Sequence, residues 1–210
     1  MKVVFTMGGI THYLSPLLDN VVRKGVDVVM VIPSVKDNQT IGKGVKLVNN
    51  EALYQVRYSE IKQGWYGKTI LTDLKTILNE EKPDIVVLGW PYFLQYFFDR
   101  QLRLLIKENN IKLIIREIPF QVPPFGQLSY FKENPVYDEN MILQSRGMSF
   151  FIRALCTMYI RKFVYKHADA TINYASCAYD ILPSYGVNKD KIFVTYNTPN
   201  TESLLSLIHI

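Results

Sequence analysis

Five features of this chain combine residue types and spacing that could carry chemistry or binding. Gly8 and Gly9 close the apolar run from Lys2 to Met7 just before a helical pattern begins. Backbone amides at such a strand-to-helix turn can face a phosphate, and glycine lets that phosphate approach closely. The plainer reading is a tight turn that needs positive φ. His12 lies in the same loop, where an imidazole in either charge state can bond an acceptor or a phosphate, or can be an ordinary surface residue. Trp90 and Tyr92 follow the apolar run from Ile85 to Leu88. An aromatic ring beyond a parallel strand can stack on a sugar face, or it can pack the loop. Glu117 follows the run from Lys112 to Arg116, and a carboxylate there can orient or deprotonate an acceptor hydroxyl, or pair with Arg116 or a nearby lysine. The segment 148–167 mixes basic and aromatic residues, the composition of a membrane-surface helix. Its basic residues are spread around the helical wheel, which favours a core-packed helix with a wetted edge.

These residues can serve one site only if the preceding strands are parallel and end at the same edge. The pattern predicts that. Short apolar runs alternate with helical patterns, the signature of a parallel sheet covered on both faces. Ser15 and Pro16 read as an N-cap followed by proline in the first helical position, Leu17, Leu18, Val21 and Val22 form one stripe, and Gly25 stops the helix. Strands are predicted at 2–7, 27–32, 45–48, 54–58, 85–88, 112–116, 170–173 and 192–196. Helices are predicted near 68–80, where Ile70, Leu71, Leu74, Ile77 and Leu78 share a face, and at 93–108. Another covers 138–167 with a break near Gly147, and a last one ends before Gly186. The proline- and aromatic-rich stretch 117–135 reads as a long functional loop. The expected fold is α/β and Rossmann-like, with six or seven mainly parallel strands and helices on both faces. One domain covers 1–197, and 198–210 are a linker or an artefactual tail.

Composition narrows the class. With 210 residues, 48% hydrophobic and 20% charged, the chain is ordinary globular material. Cys156 and Cys177 have no metal-ligand spacing and suit a reducing compartment. A net charge of +5 permits anionic partners without requiring one. No dense basic block accompanies it, so nucleic acid is not an expected partner. The expected location is cytoplasmic, with peripheral contact at the inner face of a membrane as an addition.

Two segments resemble the N-terminal domain of GT-B fold glycosyltransferases of the large retaining group, glycosyltransferase family 4. The first is the opening strand, the Gly8-Gly9 loop, the helix and Arg23-Lys24-Gly25-Val26-Asp27-Val28-Val29-Met30-Val31. The second begins with Ala168-Asp169-Ala170-Thr171-Ile172-Asn173-Tyr174-Ala175-Ser176. It continues with Gly186-Val187-Asn188-Lys189-Asp190-Lys191-Ile192-Phe193-Val194-Thr195-Tyr196-Asn197-Thr198. The second segment is similar to the block that closes the family's N-terminal domain.

The resemblance implies the acceptor-side half of a transferase that moves a sugar from a nucleotide-sugar to a glycan, polysaccharide or lipid-linked acceptor with retention. It places Gly8 and Gly9 against the donor diphosphate, and it implies no cofactor and no metal. His12 and Glu117 become the catalytic candidates, and Trp90 and Tyr92 the acceptor contacts. The sequence departs from the family where Leu88-Gly89-Trp90-Pro91 and Arg116-Glu117-Ile118 stand in place of histidines common in the family. A donor-binding C-terminal domain is expected to be absent, and the fragment alone is expected to be inactive. The competing readings are a non-catalytic nucleotide-binding Rossmann domain and a peripheral membrane scaffold. Against the former, Gly8-Gly9-Ile10-Thr11-His12-Tyr13 is not G-x-G-x-x-G, and the second strand ends Ile32-Pro33-Ser34 without an acid.

Overall fold

The structure is a computed structural model that describes residues 1–35, 47, 52–64, 66–135, 143 and 146–195. The described residues fall into two compact units, 1–116 and 117–195.

The first unit is built on five parallel strands. In chain order its elements are β1 (Lys2–Thr6), α1 (Leu14–Arg23), β2 (Asp27–Pro33), β3 (Gln55–Ser59), β4 (Ile61–Gln63) and β5 (Thr69–Leu71). They are followed by α2 (Leu74–Glu81), β6 (Ile85–Gly89), α3 (Phe93–Phe98), α4 (Arg100–Glu108) and β7 (Lys112–Glu117). The strand order is β3-β2-β1-β6-β7. The registers Lys2↔Asp27, Val3↔Ile85 and Ile85↔Lys112 align the carboxyl ends. In β2 every residue after Asp27 is buried. Val28, Met30 and Ile32 pack with Leu14 and Leu18 of α1. Val29 and Val31 point the opposite way and are equally buried, so both faces of the sheet are covered.

The second unit contains α5 (Tyr130–Glu133), α6 (Met148–His167), β8 (Ala170–Asn173), α7 (Ala178–Ile181) and β9 (Ile192–Val194). Strands β8 and β9 pair in parallel, Thr171 opposite Ile192. With seven parallel strands and helices around them, the fold is α/β and Rossmann-like.

Several local expectations change. Helix α1 begins at Leu14, so Ser15 lies inside the first turn instead of capping it. Its hydroxyl accepts from the Tyr54 hydroxyl at 3.0 Å, which spends the capping oxygen on the core. Proline in that first turn loses no intrahelical bond. The helix predicted at 68–80 starts only at Leu74, because Thr69–Leu71 pairs antiparallel with Ile61–Gln63. The far edge of Leu71 is satisfied by a side chain: Gln95 donates to its carbonyl at 2.9 Å and accepts from its amide at 3.1 Å. The single helix predicted at 93–108 is two, since Asp99 is extended and its Oδ1 accepts from the amides of Gln101 and Leu102.

Much of the loop predicted at 117–135 is anchored. Phe125 packs edge-on against Tyr159 and Tyr185, with centroids 5.2 and 5.5 Å away. Of the strand predicted at 45–48 only Leu47 is described, in an isolated antiparallel bridge with Thr11. Most of 138–145 and all of 196–210 lie outside the described residues, and so does the expected tail.

Candidate functional site

The carboxyl ends of β1 and β6 are locked together by Thr6. Its hydroxyl donates to the Val87 carbonyl at 3.1 Å and accepts from the Gly89 amide at 3.4 Å. The Gly8-Gly9 turn leaves one of these strands and Trp90 leaves the other, so the two candidate loops emerge side by side at one edge. Gly8 and Gly9 are buried and His12 is exposed. The His12 ring lies edge-on to Tyr13, with centroids 5.3 Å apart. The Leu14 and Ser15 amides fold back on the Thr11 carbonyl at 3.2 and 3.0 Å. That leaves the anion-facing role to amides earlier in the loop.

Trp90 and Tyr92 differ in character. Trp90 is 36% exposed, while Tyr92 is 1% exposed. The indole rests edge-on against Phe93 at 5.4 Å and has Lys68 Nζ 5.9 Å from its ring centroid. A ring braced edge-on with a cation over its face is the kind of surface on which a sugar can stack when the cation moves aside. Tyr92 is part of the core.

Arg116 was not singled out as a site residue from sequence, yet it occupies this edge. It pairs across the sheet with Gly89, is 7% exposed, and donates from Nη1 to Met7 Sδ at 3.2 Å. Burial pushes its guanidinium down to about 10, against the opposing influence of Tyr13. It is therefore still cationic at neutral pH. A lone arginine at the end of the apolar run Leu113-Ile114-Ile115 was the available signal. A buried cation next to Met7, the residue before the glycine turn, favours an anionic ligand nearby.

Glu117 serves the second unit. Successive strand residues point to opposite faces, so it does not follow Arg116 into the first unit. Its Oε2 accepts from the Tyr165 hydroxyl at 2.7 Å and from Arg161 Nε at 3.2 Å, and its Oε1 from the Ile118 amide at 3.4 Å. Burial raises the Tyr165 phenol well above its ordinary range, and the Glu117 charge adds to this. Burial works against the charge on Arg161, but the carboxylate outweighs it and holds the guanidinium above its usual range. The partner foreseen from sequence was Arg116 or a lysine; the observed one lies 44 positions away in the chain.

A surface groove of about 500 Å³ runs beside the β4–β5 hairpin. It is lined by Lys62, Gln63, Tyr66, Phe98, Arg100 and Gln101, among others. Tyr66 stacks on Phe98 with centroids 4.6 Å apart, forming an aromatic wall among amide and cationic side chains. Among the described residues no group of His, Cys, Asp and Glu could hold a metal ion, and no helix is long and apolar enough to cross a membrane.

No protein-family model and no curated protein sequence matches the chain. Solved structures do. UDP-N-acetylglucosamine 2-epimerase is similar at 17% identity with a TM-score of 0.50, over 94% of this chain and 48% of that one. The enzyme WbmH of Bordetella bronchiseptica, in complex with NAD+, is similar at 13% identity and a TM-score of 0.39, over 82% and 54%. A dTDP-glucose 4,6-dehydratase of Bacillus anthracis, in complex with NAD, gives 12% and 0.42 over 82% and 54%. The chain spans about half the length of the structures it matches. What the likeness establishes is the Rossmann-like fold, one that sugar-nucleotide enzymes use.

Against the expectation of no cofactor, two of these structures are in complex with NAD. Strand β2 ends Ile32-Pro33-Ser34, with the Ser34 amide bonded to the Ser59 carbonyl at 2.8 Å. Among the described residues no acid stands there to hold a dinucleotide ribose.

Proposed function

We propose that this chain is the acceptor-side Rossmann-like half of a nucleotide-sugar glycosyltransferase. The observation that carries the reading is the edge shared by β1 and β6. A buried glycine turn, a buried cation against the preceding Met7 and an indole over a third exposed stand there, so anion and sugar chemistry meet on adjacent strands. The resemblance of Ala168–Ser176 and Gly186–Thr198 to the family 4 block supports the same reading.

In this reading the amides of the Gly8-Gly9 turn face the donor diphosphate and Arg116 supplies the compensating charge nearby. His12 bonds the acceptor hydroxyl or a donor phosphate oxygen, Trp90 stacks on an acceptor sugar, and Tyr92 supports that ring. Glu117, with both oxygens engaged, acts as a positioning residue that fixes α6. The groove beside β4–β5 extends the acceptor path. The domain assignment of 1–197 and a retaining transfer completed by a further domain belong to the same proposal.

The test is binding followed by turnover. The purified 210-residue chain is screened for glycan binding on an oligosaccharide array, then incubated with UDP-, GDP- and dTDP-sugars in the presence of its best ligand. The expected result is glycan binding lost in Trp90→Ala, with no sugar transfer by the chain alone. Epimerised or dehydrated sugar nucleotide on adding NAD, or glycan binding indifferent to Trp90, overturns the proposal.

A further inference from the structure

Helix α6 has an apolar face on each side. Met158, Val164 and Tyr165 are buried inside the second unit, at 0%, 0% and 3% exposure. On the outer side Met148, Ile152, Leu155 and Tyr159 recur at spacings of four, three and four, so they lie on one stripe. They are 77%, 57%, 37% and 59% exposed. With Tyr159 braced on one side by Phe125 and the other three facing water, this apolar row is costly to leave uncovered, and contiguous exposed patches of this kind mark interaction sites. The stripe is continued by Lys162 and Lys166 and flanked by Arg153, all exposed.

Charge selects the occupant. From Met148 to His167 the helix contains no aspartate and no glutamate. A second copy of the helix would bring lysine and arginine against the same residues with no acid to answer them, and like-charge pairing is destabilising. A surface of anionic lipid headgroups answers both features: the acyl boundary takes the apolar stripe and the phosphates take the cations. The amino-terminal end adds aromatic bulk. Phe150 packs edge-on against Phe131 and Phe151 with centroids 5.0 and 5.5 Å away, and the Arg146 guanidinium lies 5.1 Å from the Phe150 ring. Aromatic side chains near arginine are favoured at the headgroup level.

We propose that the outer face of α6, centred on Ile152, Leu155 and Tyr159, is a docking surface for an anionic lipid bilayer. The helix lies in the plane of the interface and does not cross it. This stands on the second unit alone and does not depend on the transferase reading.

Vesicle flotation of the full chain tests it, with phosphatidylcholine alone and with phosphatidylcholine containing phosphatidylglycerol. Three variants go with it: Ile152→Ser with Leu155→Ser, Arg153→Glu with Lys166→Glu, and Leu104→Ser as a control on an exposed position of α4. Circular dichroism and thermal melts establish that each is folded. Wild type and Leu104→Ser should float with the anionic vesicles only, and added salt should weaken that binding. The charge reversals should lower partitioning by about tenfold or more, and the apolar pair should abolish it. Three results overturn the proposal. The protein is absent from both floating fractions, or both α6 variants bind as the control does. Otherwise size-exclusion shows a wild-type dimer that Ile152→Ser with Leu155→Ser converts to monomer, which makes the face an interface between copies.

Discussion

The Tyr165 hydroxyl donates to Glu117 Oε2 at 2.7 Å inside the second unit, on the same carboxylate oxygen that Arg161 approaches at 3.2 Å. Glu117 is 3% and Arg161 11% exposed at the side chain, so a buried ion pair shares its acceptor with a buried phenol. Removing one partner of such a pair strands the other charge. Glu117→Gln should cost about 3–5 kcal/mol in urea unfolding, and pairing it with Arg161→Met should recover much of that loss. A double variant as unstable as the single one refutes the assignment.

Buried phenols also set the alkaline limit. Burial lifts Tyr185 to about 12, and Tyr165 in the same unit is raised as well. A raised folded-state value means that the unfolded chain ionises first. The contribution is therefore intact below pH 10 and fades as pH rises from about 10 toward 12. Tyr185→Phe should flatten that decline in a pH series of urea midpoints. Equal slopes for the two proteins count against it.

The amide of Gln95 holds both backbone groups of Leu71. Gln95→Ala leaves two buried polar groups without these bonds, at about 1–3 kcal/mol each. A thermal melt reads the total, and Gln95→Glu separates the accepting from the donating bond. A loss below about 1 kcal/mol in Gln95→Ala means that the latch is not structural.

Asp99 caps α4 and meets Lys75 Nζ at 3.0 Å. Burial alone would raise its carboxyl, but the Lys75 hydrogen bond and the two helix amides outweigh that and hold it below the usual range. Asp99→Ala should cost about 1 kcal/mol at neutral pH. The stabilisation is present above the unfolded value near 4 and is lost as pH falls through the folded one. The difference between variant and wild type should therefore shrink in acid, and a constant difference in chemical denaturation across pH 2–7 contradicts the cap.

Trp90 is the side chain on which the acceptor proposal turns. With its indole over a third exposed, Trp90→Ala should leave stability within about 1 kcal/mol of wild type while reducing glycan binding tenfold or more. Calorimetric titration of the array's best ligand measures the second effect. Retained affinity places the acceptor elsewhere.

Periodicity made the sheet legible. Continuous runs such as Val28–Ile32 and Ile85–Leu88 can lie only where both faces are covered, and that constraint is local to the sequence. The elements that escaped depend on partners far along the chain. Ile70 and Leu71 fit the stripe of the following helix, and nothing nearby says that Gln95 will satisfy Leu71 from another element. At the site, glycines and an indole after apolar runs pointed to the edge shared by β1 and β6. Arg116 gave little signal because an arginine ending a strand is ordinarily a solvated rim residue. Glu117 was visible as a carboxylate, but its engagement with α6 needed tertiary structure.

The Gln95 latch also governs how the carboxyl edge moves. Strands β4 and β5 form a sheet of their own, and a two-stranded hairpin is marginal without outside support. The Gln95 side chain is therefore a main outside support of the Leu71 edge, while the β1 amides lie between two neighbouring strands. Hydrogen exchange should divide the unit accordingly, with Leu71 exchanging at a rate nearly independent of added denaturant and Val4 tracking global unfolding. Because Lys68 at the hairpin's turn lies against the Trp90 ring, each opening also frees the face on which a sugar would stack. In the proposed acceptor site, ligand entry and hairpin breathing would then share one rate.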